Sequence, residues 1–70
     1  MIANYLKEYF KNKKISQYEI ENKTGINQSK INLSLNGKRK ITAEELLEIS
    51  NKFNINLEKL KKDIKKNHSN

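Results

Sequence analysis

The chain has 70 residues, of which 15 are lysine or arginine and eight are acidic, so its formal net charge is +7. This length is enough for one domain with a small core. The chain has no cysteine and no apolar run near the roughly 20 residues of a membrane span. Its composition therefore excludes a disulfide framework, a thiolate metal site and a membrane-spanning helix.

The basic excess favours a polyanionic partner, and nucleic acid is the commonest one. An ordinary lysine-rich surface would give the same net charge, so the positions of the charges have to decide between the two. The start of the chain soon meets Lys7 and Glu8 and shows no signal-peptide pattern, and the single histidine, His68, is interpreted as solvated. We expect a cytoplasmic, nucleoid-associated protein with no cofactor, no metal site and no catalytic site.

The first predicted helix spans residues 2–12. Its apolar side chains recur at helical spacing and are assigned to the core; they are Ile2, Tyr5, Leu6, Tyr9 and Phe10. Four more helices are predicted from a repeated start signal, in which an isoleucine precedes a capping residue and an apolar residue follows the cap by four positions. The four signals are Ile15-Ser16 with Ile20, Ile26-Asn27 with Ile31, Ile41-Thr42 with Leu46, and Ile55-Asn56 with Leu60.

These signals predict helices over residues 17–24, 28–36, 43–53 and 57–65. Glu19 and Glu45 each follow a capping hydroxyl by three positions, which predicts two capping boxes. Gly25, Gly37 and Asn54 are predicted to end three of the helices in the left-handed conformation. The last two helices are assigned core-facing stripes of Ala43, Leu46, Leu47, Ile49, Ser50 and Phe53, and of Leu57, Leu60 and Ile64.

The second and third predicted helices are joined only by Gly25-Ile26-Asn27. So short a turn does not allow a long side-by-side hairpin and favours a steep crossing. This is the geometry of a DNA-binding helix-turn-helix, whose second helix enters the major groove.

A helical wheel divides the third helix into two faces. Ile31, Ser34 and Leu35 point inward, whereas the outward face is rich in amides and hydroxyls and has no acidic residue. Amides and hydroxyls can bond to base edges, and an isolated leucine can meet a thymine methyl group. The outward residues are Gln28, Ser29, Asn32, Leu33 and Asn36. An ordinary solvated helix would show a similar polar face, so its flanks add necessary evidence.

Three consecutive cations, Lys38, Arg39 and Lys40, follow the third helix, where the phosphates of a groove wall would lie. Gln17 opens the second helix, where its side chain and the positive end of the helix can meet a phosphate. No acidic residue occurs between Glu21 and Glu44. This distribution is typical of a surface that approaches a polyanion.

Residues 15–60 resemble the lambda-repressor-like helix-turn-helix family of phage repressors, Cro proteins and their bacterial relatives. The shared marks, which are specific only in their joint spacing, are Ser16-Gln17, Gly25, Gln28-Ser29, Asn36-Gly37-Lys38 and the run Phe53-Asn54-Ile55-Asn56. The resemblance implies one domain over residues 1–66, followed by a polar tail over 67–70. It also implies a homodimer on two half-sites, which we expect to form through the fifth helix and the tail.

The resemblance also assigns roles to single residues. Gln17 would contact phosphate and brace Gln28, which would read a base, often adenine. The other base-facing residues would be Ser29, Asn32 and Leu33, and the other phosphate contacts would come from Asn36, Lys38, Arg39 and Lys40.

Three positions depart from the family pattern. Glu21 stands where the family has alanine, and burial of a carboxylate there would be costly, so we expect Glu21 to reach solvent or a lysine, or the crossing to be wider. Phe10 and Leu35 together replace a charged pair, which predicts an apolar contact. Ser34 replaces a larger apolar residue, which predicts a looser third helix.

We therefore predict an all-α, five-helix protein that binds double-stranded DNA in a sequence-specific manner and regulates transcription as a repressor. The alternative is a protein-interaction module built on the same fold, such as an antitoxin or adaptor. A basic peptide lying on membranes is disfavoured because the apolar stripes belong to short capped helices. An enzyme is disfavoured because no catalytic motif is present, and no small-molecule ligand is expected.

Overall fold

The computed structural model describes the backbone of residues 2–68 and the side chains of residues 2–62. Within this range it contains five helices and no strand: α1 (Ile2–Asn12), α2 (Gln17–Thr24), α3 (Gln28–Leu35), α4 (Ala43–Lys52) and α5 (Leu57–His68). This confirms the predicted all-α fold and every predicted helix start. The third and fourth helices each end one residue earlier than predicted, and the fifth ends three residues later.

The end of the chain was predicted to be a polar tail over residues 67–70. The backbone of α5 continues as helix to His68, so the first two of these residues are helical. The side chains of His68 and Ile64, and residues 69 and 70 as a whole, lie outside the described part of the chain.

Each of the last four helices begins at the predicted capping side chain. A backbone N–H donates to Ser16 Oγ at 3.1 Å, to Asn27 Oδ1 at 2.8 Å, to Thr42 Oγ1 at 3.1 Å and to Asn56 Oδ1 at 2.9 Å. Each bond satisfies one of the amides that a helix N-terminus leaves without a partner in the helix. The starts are therefore fixed by local sequence, as predicted.

Only one of the two predicted capping boxes is complete. At α4 the Glu45 carboxylate returns a bond to the Thr42 N–H at 3.0 Å. At α2 the N–H of Glu19 donates to Ser16, but no return bond joins these two described residues. The prediction of a second complete box was wrong, because the glutamate side chain need not turn back once the hydroxyl has capped the helix.

Left-handed residues end the helices where predicted. The φ angles of Gly25, Gly37 and Asn54 are 78°, 74° and 56°. Lys14, with a φ of 58°, does the same after α1 and was not predicted, since lysine is not a usual residue in this conformation. The Ile15 N–H donates back to the Phe10 carbonyl at 2.9 Å and closes that turn.

One buried cluster joins all five helices, and Leu6, with 0% exposure, lies within it. Leu35 and Phe10 both belong to this cluster, in agreement with the predicted replacement of a charged pair by apolar residues. The ring of Phe10 makes edge-on contacts with Tyr9 and Phe53, with centroids 5.5 and 5.2 Å apart. The buried members are Leu6, Phe10, Ile20, Ile31, Leu35, Ile49, Ile55 and Leu60.

Three residues assigned to the core from the sequence are exposed instead. Ala43 and Leu47 lie four positions apart on a face of α4 that is turned away from the core, and Leu47 is 57% exposed. Ile2 is exposed at the first residue of α1. The sequence pattern was misleading because α4 has apolar residues at adjacent positions, and both members of such a pair cannot point inward.

Candidate nucleic-acid interface

The connection between α2 and α3 is a closed turn of three residues. The N–H of Gly25 donates to the Glu21 carbonyl at 2.8 Å. The hydroxyl of Thr24 donates to the Ile20 carbonyl at 2.7 Å and accepts from the N–H of Ile26 at 3.1 Å. The Ile26 side chain packs against the core from the middle of the turn. These bonds fix the direction in which the chain leaves α2 and enters α3.

The two faces of α3 are oriented as the wheel predicts. Ile31, Ser34 and Leu35 are buried, and Leu33 is 42% exposed on the other side. The remaining outward side chains are exposed as well. A shallow surface cleft on this side is lined by Gln17, Gln28, Ser29, Asn32 and Leu33.

Gln17 does bond to α3, but not at the predicted position. Its side-chain Oε1 accepts a hydrogen bond from Asn32 Nδ2 at 3.3 Å. The predicted brace between Gln17 and Gln28 is thus replaced by one between Gln17 and Asn32, one helical turn further along. The side-chain amide of Gln28 makes no hydrogen bond to another described residue, although its backbone N–H does.

Glu21 was expected to reach solvent or a lysine; it is half-buried, and its carboxylate is bonded to a backbone amide rather than to a lysine. Its carboxylate Oε2 accepts the backbone N–H of Gln28, the first residue of α3, at 2.9 Å. A carboxylate is favourable at this place because the N-terminus of a helix has unpaired amides and a partial positive charge. The acidic residue is therefore accommodated as a cap for α3.

Arg39, predicted to contact phosphate, is bonded within the protein. Its two terminal nitrogens pair with the two carboxylate oxygens of Glu45 at 2.9 and 2.7 Å, and Nη1 also donates to Ser34 Oγ at 2.8 Å. These hydrogen bonds from Arg39 lower the pKa of Glu45 to about 2, and they raise the pKa of Arg39. The loop after α3 is thereby tied to α4, and the buried Ser34 at the place of a larger apolar residue has a hydrogen-bond partner.

The other flanking residues surround the exposed face of α3. Lys38 and Lys40 are exposed in the loop after the helix. Asn36 accepts a bond from Lys7 Nζ at 3.2 Å, and its own amide donates to the Asn32 carbonyl at 2.9 Å. Lys7 was not singled out from the sequence, because nothing in the order of residues shows that α1 brings it to the end of α3.

Comparison with protein families identifies this arrangement. A family model described as Helix-turn-helix matches residues 6–60, more than half of the chain. The chain belongs to the lambda-repressor-like helix-turn-helix family. In this helix-turn-helix protein the motif is α2, the turn and α3, and the family is one of DNA-binding transcription regulators that are generally not enzymes.

Two further comparisons, with curated proteins and with solved structures, found no match to the helix-turn-helix protein. Its described residues contain no group of acidic, histidine or cysteine side chains that could hold a metal ion. Among the helices of that same region, none combines the length and the apolar character needed to cross a bilayer.

Proposed function

We propose that this protein binds double-stranded DNA in a sequence-specific manner and acts as a transcriptional repressor. In this proposal α3 is the recognition helix and lies in the major groove. The observation that carries the proposal is the exposed amide- and hydroxyl-rich face of α3, with Ile31 and Leu35 buried behind it. Side chains of this kind match the donor and acceptor pattern of base edges.

The contacts divide into two classes. Gln28, Ser29, Asn32 and Leu33 lie on the exposed face of the recognition helix and read bases. The phosphate contacts come from Gln17, Asn36, Lys38 and Lys40, at both ends of that face.

In this proposal Arg39 has a different role from the phosphate-contacting Lys38 and Lys40. Its guanidinium is paired with Glu45 and bonded to Ser34, so its first effect is to hold the loop that presents Lys38 and Lys40. A phosphate contact of Arg39 would have to use a nitrogen edge that Glu45 leaves accessible, and its side chain is 26% exposed.

The proposed assembly is a homodimer on a two-fold operator. Two recognition helices about one helical turn apart would read two half-sites. The domain over residues 1–66 would supply both the reading face and the dimer contact, the latter through α5, and the protein would act in the cytoplasm at the nucleoid.

The experiment that tests the proposal is selection of bound fragments from random duplex DNA, followed by titration of two variants. Gln28→Ala is expected to cost about 1–3 kcal/mol on the selected site and to relax the preference at one base position. Lys38→Ala is expected to weaken binding to all sequences about equally and to lower the salt slope by about one. Lys52→Ala, which removes an exposed lysine from α4, is the matched control and should change neither quantity.

The alternative function, a protein-interaction module, is favoured by one observation, the exposed Leu47 on α4. Salt dependence separates the two functions. A DNA-binding protein with about 6–10 phosphate contacts loses affinity by a factor of roughly 10³–10⁵ between 50 and 200 mM salt.

Absence of duplex binding at 50 mM salt, or unchanged site preference in Gln28→Ala, would refute the proposed DNA-reading role of α3.

A further inference from the structure

We infer that Glu21 is a positioning residue for the recognition helix and a determinant of sequence specificity. Its carboxylate fixes the first turn of α3, and its charge weakens the attraction of this end of the helix to DNA of any sequence. The inference rests on the proposed function, because it assigns Glu21 a part in the same DNA-reading site.

Glu21 holds the helix-turn-helix from both sides of the turn. Its backbone carbonyl accepts the Gly25 N–H at 2.8 Å, at the end of α2. Its side-chain Oε2 accepts the Gln28 N–H at 2.9 Å, at the start of α3. Glu21 is thus bonded to the chain on both sides of the turn, and only the bond to α3 depends on its side chain.

Two hydrogen bonds to backbone amides restrict the first turn of α3. The amide of Gln28 is held by Glu21, and the next amide, of Ser29, is held by Asn27 Oδ1 at 2.8 Å. The side chains proposed to read bases at this end of the helix leave the backbone at these same two residues. Their direction therefore depends on bonds that Glu21 and Asn27 make.

A second hydrogen bond, made by Gln17, also joins α2 to α3, one helical turn further along α3. Gln17 lies four residues before Glu21 on α2, so both side chains are on the same face of that helix. Gln17 bonds to the side chain of Asn32 at 3.3 Å, whereas Glu21 bonds to the backbone of α3. The Glu21 bond can therefore position the helix without engaging a side chain that reads a base.

The charge of Glu21 has a separate effect. The unpaired amides and partial positive charge at a helix N-terminus attract a phosphate of any DNA. Among the described residues Glu21 is the one acidic side chain that is hydrogen-bonded to α3, and it offsets this attraction. This effect lowers the affinity for every DNA sequence about equally, so it leaves the base preferences unchanged and makes the protein depend more on its base contacts for tight binding.

Two variants separate the two effects. Glu21→Gln keeps a side-chain oxygen for the Gln28 N–H and removes the charge, whereas Glu21→Ala removes both. Glu8→Gln is the matched control, since Glu8 is exposed on α1 and its replacement changes the net charge equally. For each protein the measurements are the affinity for a random duplex at 50 mM salt and the base preference at every position of the selected site.

Glu21→Gln is expected to bind the random duplex about two- to threefold more tightly than the Glu8→Gln control, because a like charge has been removed close to the phosphates. It is expected to keep the wild-type base preferences. Glu21→Ala is expected to lose most of the preference at the position read by Gln28, where a good side-chain contact discriminates by roughly 5- to 150-fold. The position read by Leu33, from the opposite half of α3, should keep its preference, which a general loosening of the fold would not allow.

Two results would overturn the inference while leaving the proposed function intact. One is a Glu21→Ala protein with wild-type preference at the Gln28 position, and the other is a Glu21→Gln protein whose affinity for random duplex equals that of Glu8→Gln. A wild-type protein that binds no duplex would instead overturn the proposed function itself, and the inference with it.

Discussion

Acid is expected to destabilise the protein through the ion pair that ties the loop after α3 to α4. Glu45 accepts two hydrogen bonds from Arg39, at 2.9 and 2.7 Å, and a third from the Thr42 N–H at 3.0 Å. These bonds favour the charged carboxylate, and the bond from Arg39 is the largest cause of the lowering of its pKa from 4.5 to about 2. Because the pKa is lower in the folded than in the unfolded protein, the stabilisation is present above about pH 4.5 and is lost as the pH falls towards 2.

The size of this contribution follows from the pKa and the exposure of the pair. At about 1.4 kcal/mol per pKa unit, the difference between 4.5 and about 2 corresponds to an upper value of about 3 kcal/mol. The side chains of Arg39 and Glu45 are 26% and 17% exposed, so water screens the pair. We therefore expect a contribution of about 1–2 kcal/mol to the free energy of unfolding at neutral pH.

The assay is urea unfolding of the wild type and of Glu45→Gln at a series of pH values from 7 to 2. Glu45→Gln should be less stable than the wild type by about 1–2 kcal/mol at pH 7, and the difference should shrink below about pH 4.5 as the wild-type carboxylate becomes protonated. Glu44→Gln, at the exposed neighbouring position on α4, is the control and should follow the wild type. A difference that stays constant from pH 7 to pH 2 would refute the role given to the Glu45 charge.

Two substitutions test the core and the turn by urea unfolding at pH 7. Leu6→Ala, at a side chain with 0% exposure, should lower the free energy of unfolding by about 2–5 kcal/mol, and a loss below about 1 kcal/mol would show that this part of the core is loosely packed. Gly25→Ala should cost about 1–2 kcal/mol, because its φ of 78° is unfavourable for residues with a Cβ. Nothing within 4 Å would meet the added Cβ, so Gly25→Asn, which tolerates this conformation, should cost less, and an equal cost for both would contradict the backbone explanation.

The helices could be predicted from the sequence because their signals are local. Ser16, Asn27, Thr42 and Asn56 each cap a helix within three residues of their own position, so the order of residues is enough to find them. The inward and outward faces of α3 follow from helical geometry in the same way. These local features are enough to predict the five helices and the residues on the exposed face of α3.

The bonds across the helix-turn-helix could not be predicted, because they depend on where side chains of different elements meet. Gln17 was expected to brace Gln28 and bonds to Asn32 instead. Glu21 was expected to be a difficulty and proves to be a cap for α3. A carboxylate and a free amide seven residues apart give no periodic signal, and only the geometry of the turn brings them together.

The start signals that recur before α2, α3, α4 and α5 also bear on how the chain folds. In each of them the capping bond and the flanking apolar pair involve residues that are two to five positions apart. Contacts between residues so close in sequence close only short loops, so they form at a small entropic cost. Proteins dominated by such local contacts have a low contact order and fold quickly. We therefore expect refolding on the microsecond to millisecond timescale that is typical of small helical domains.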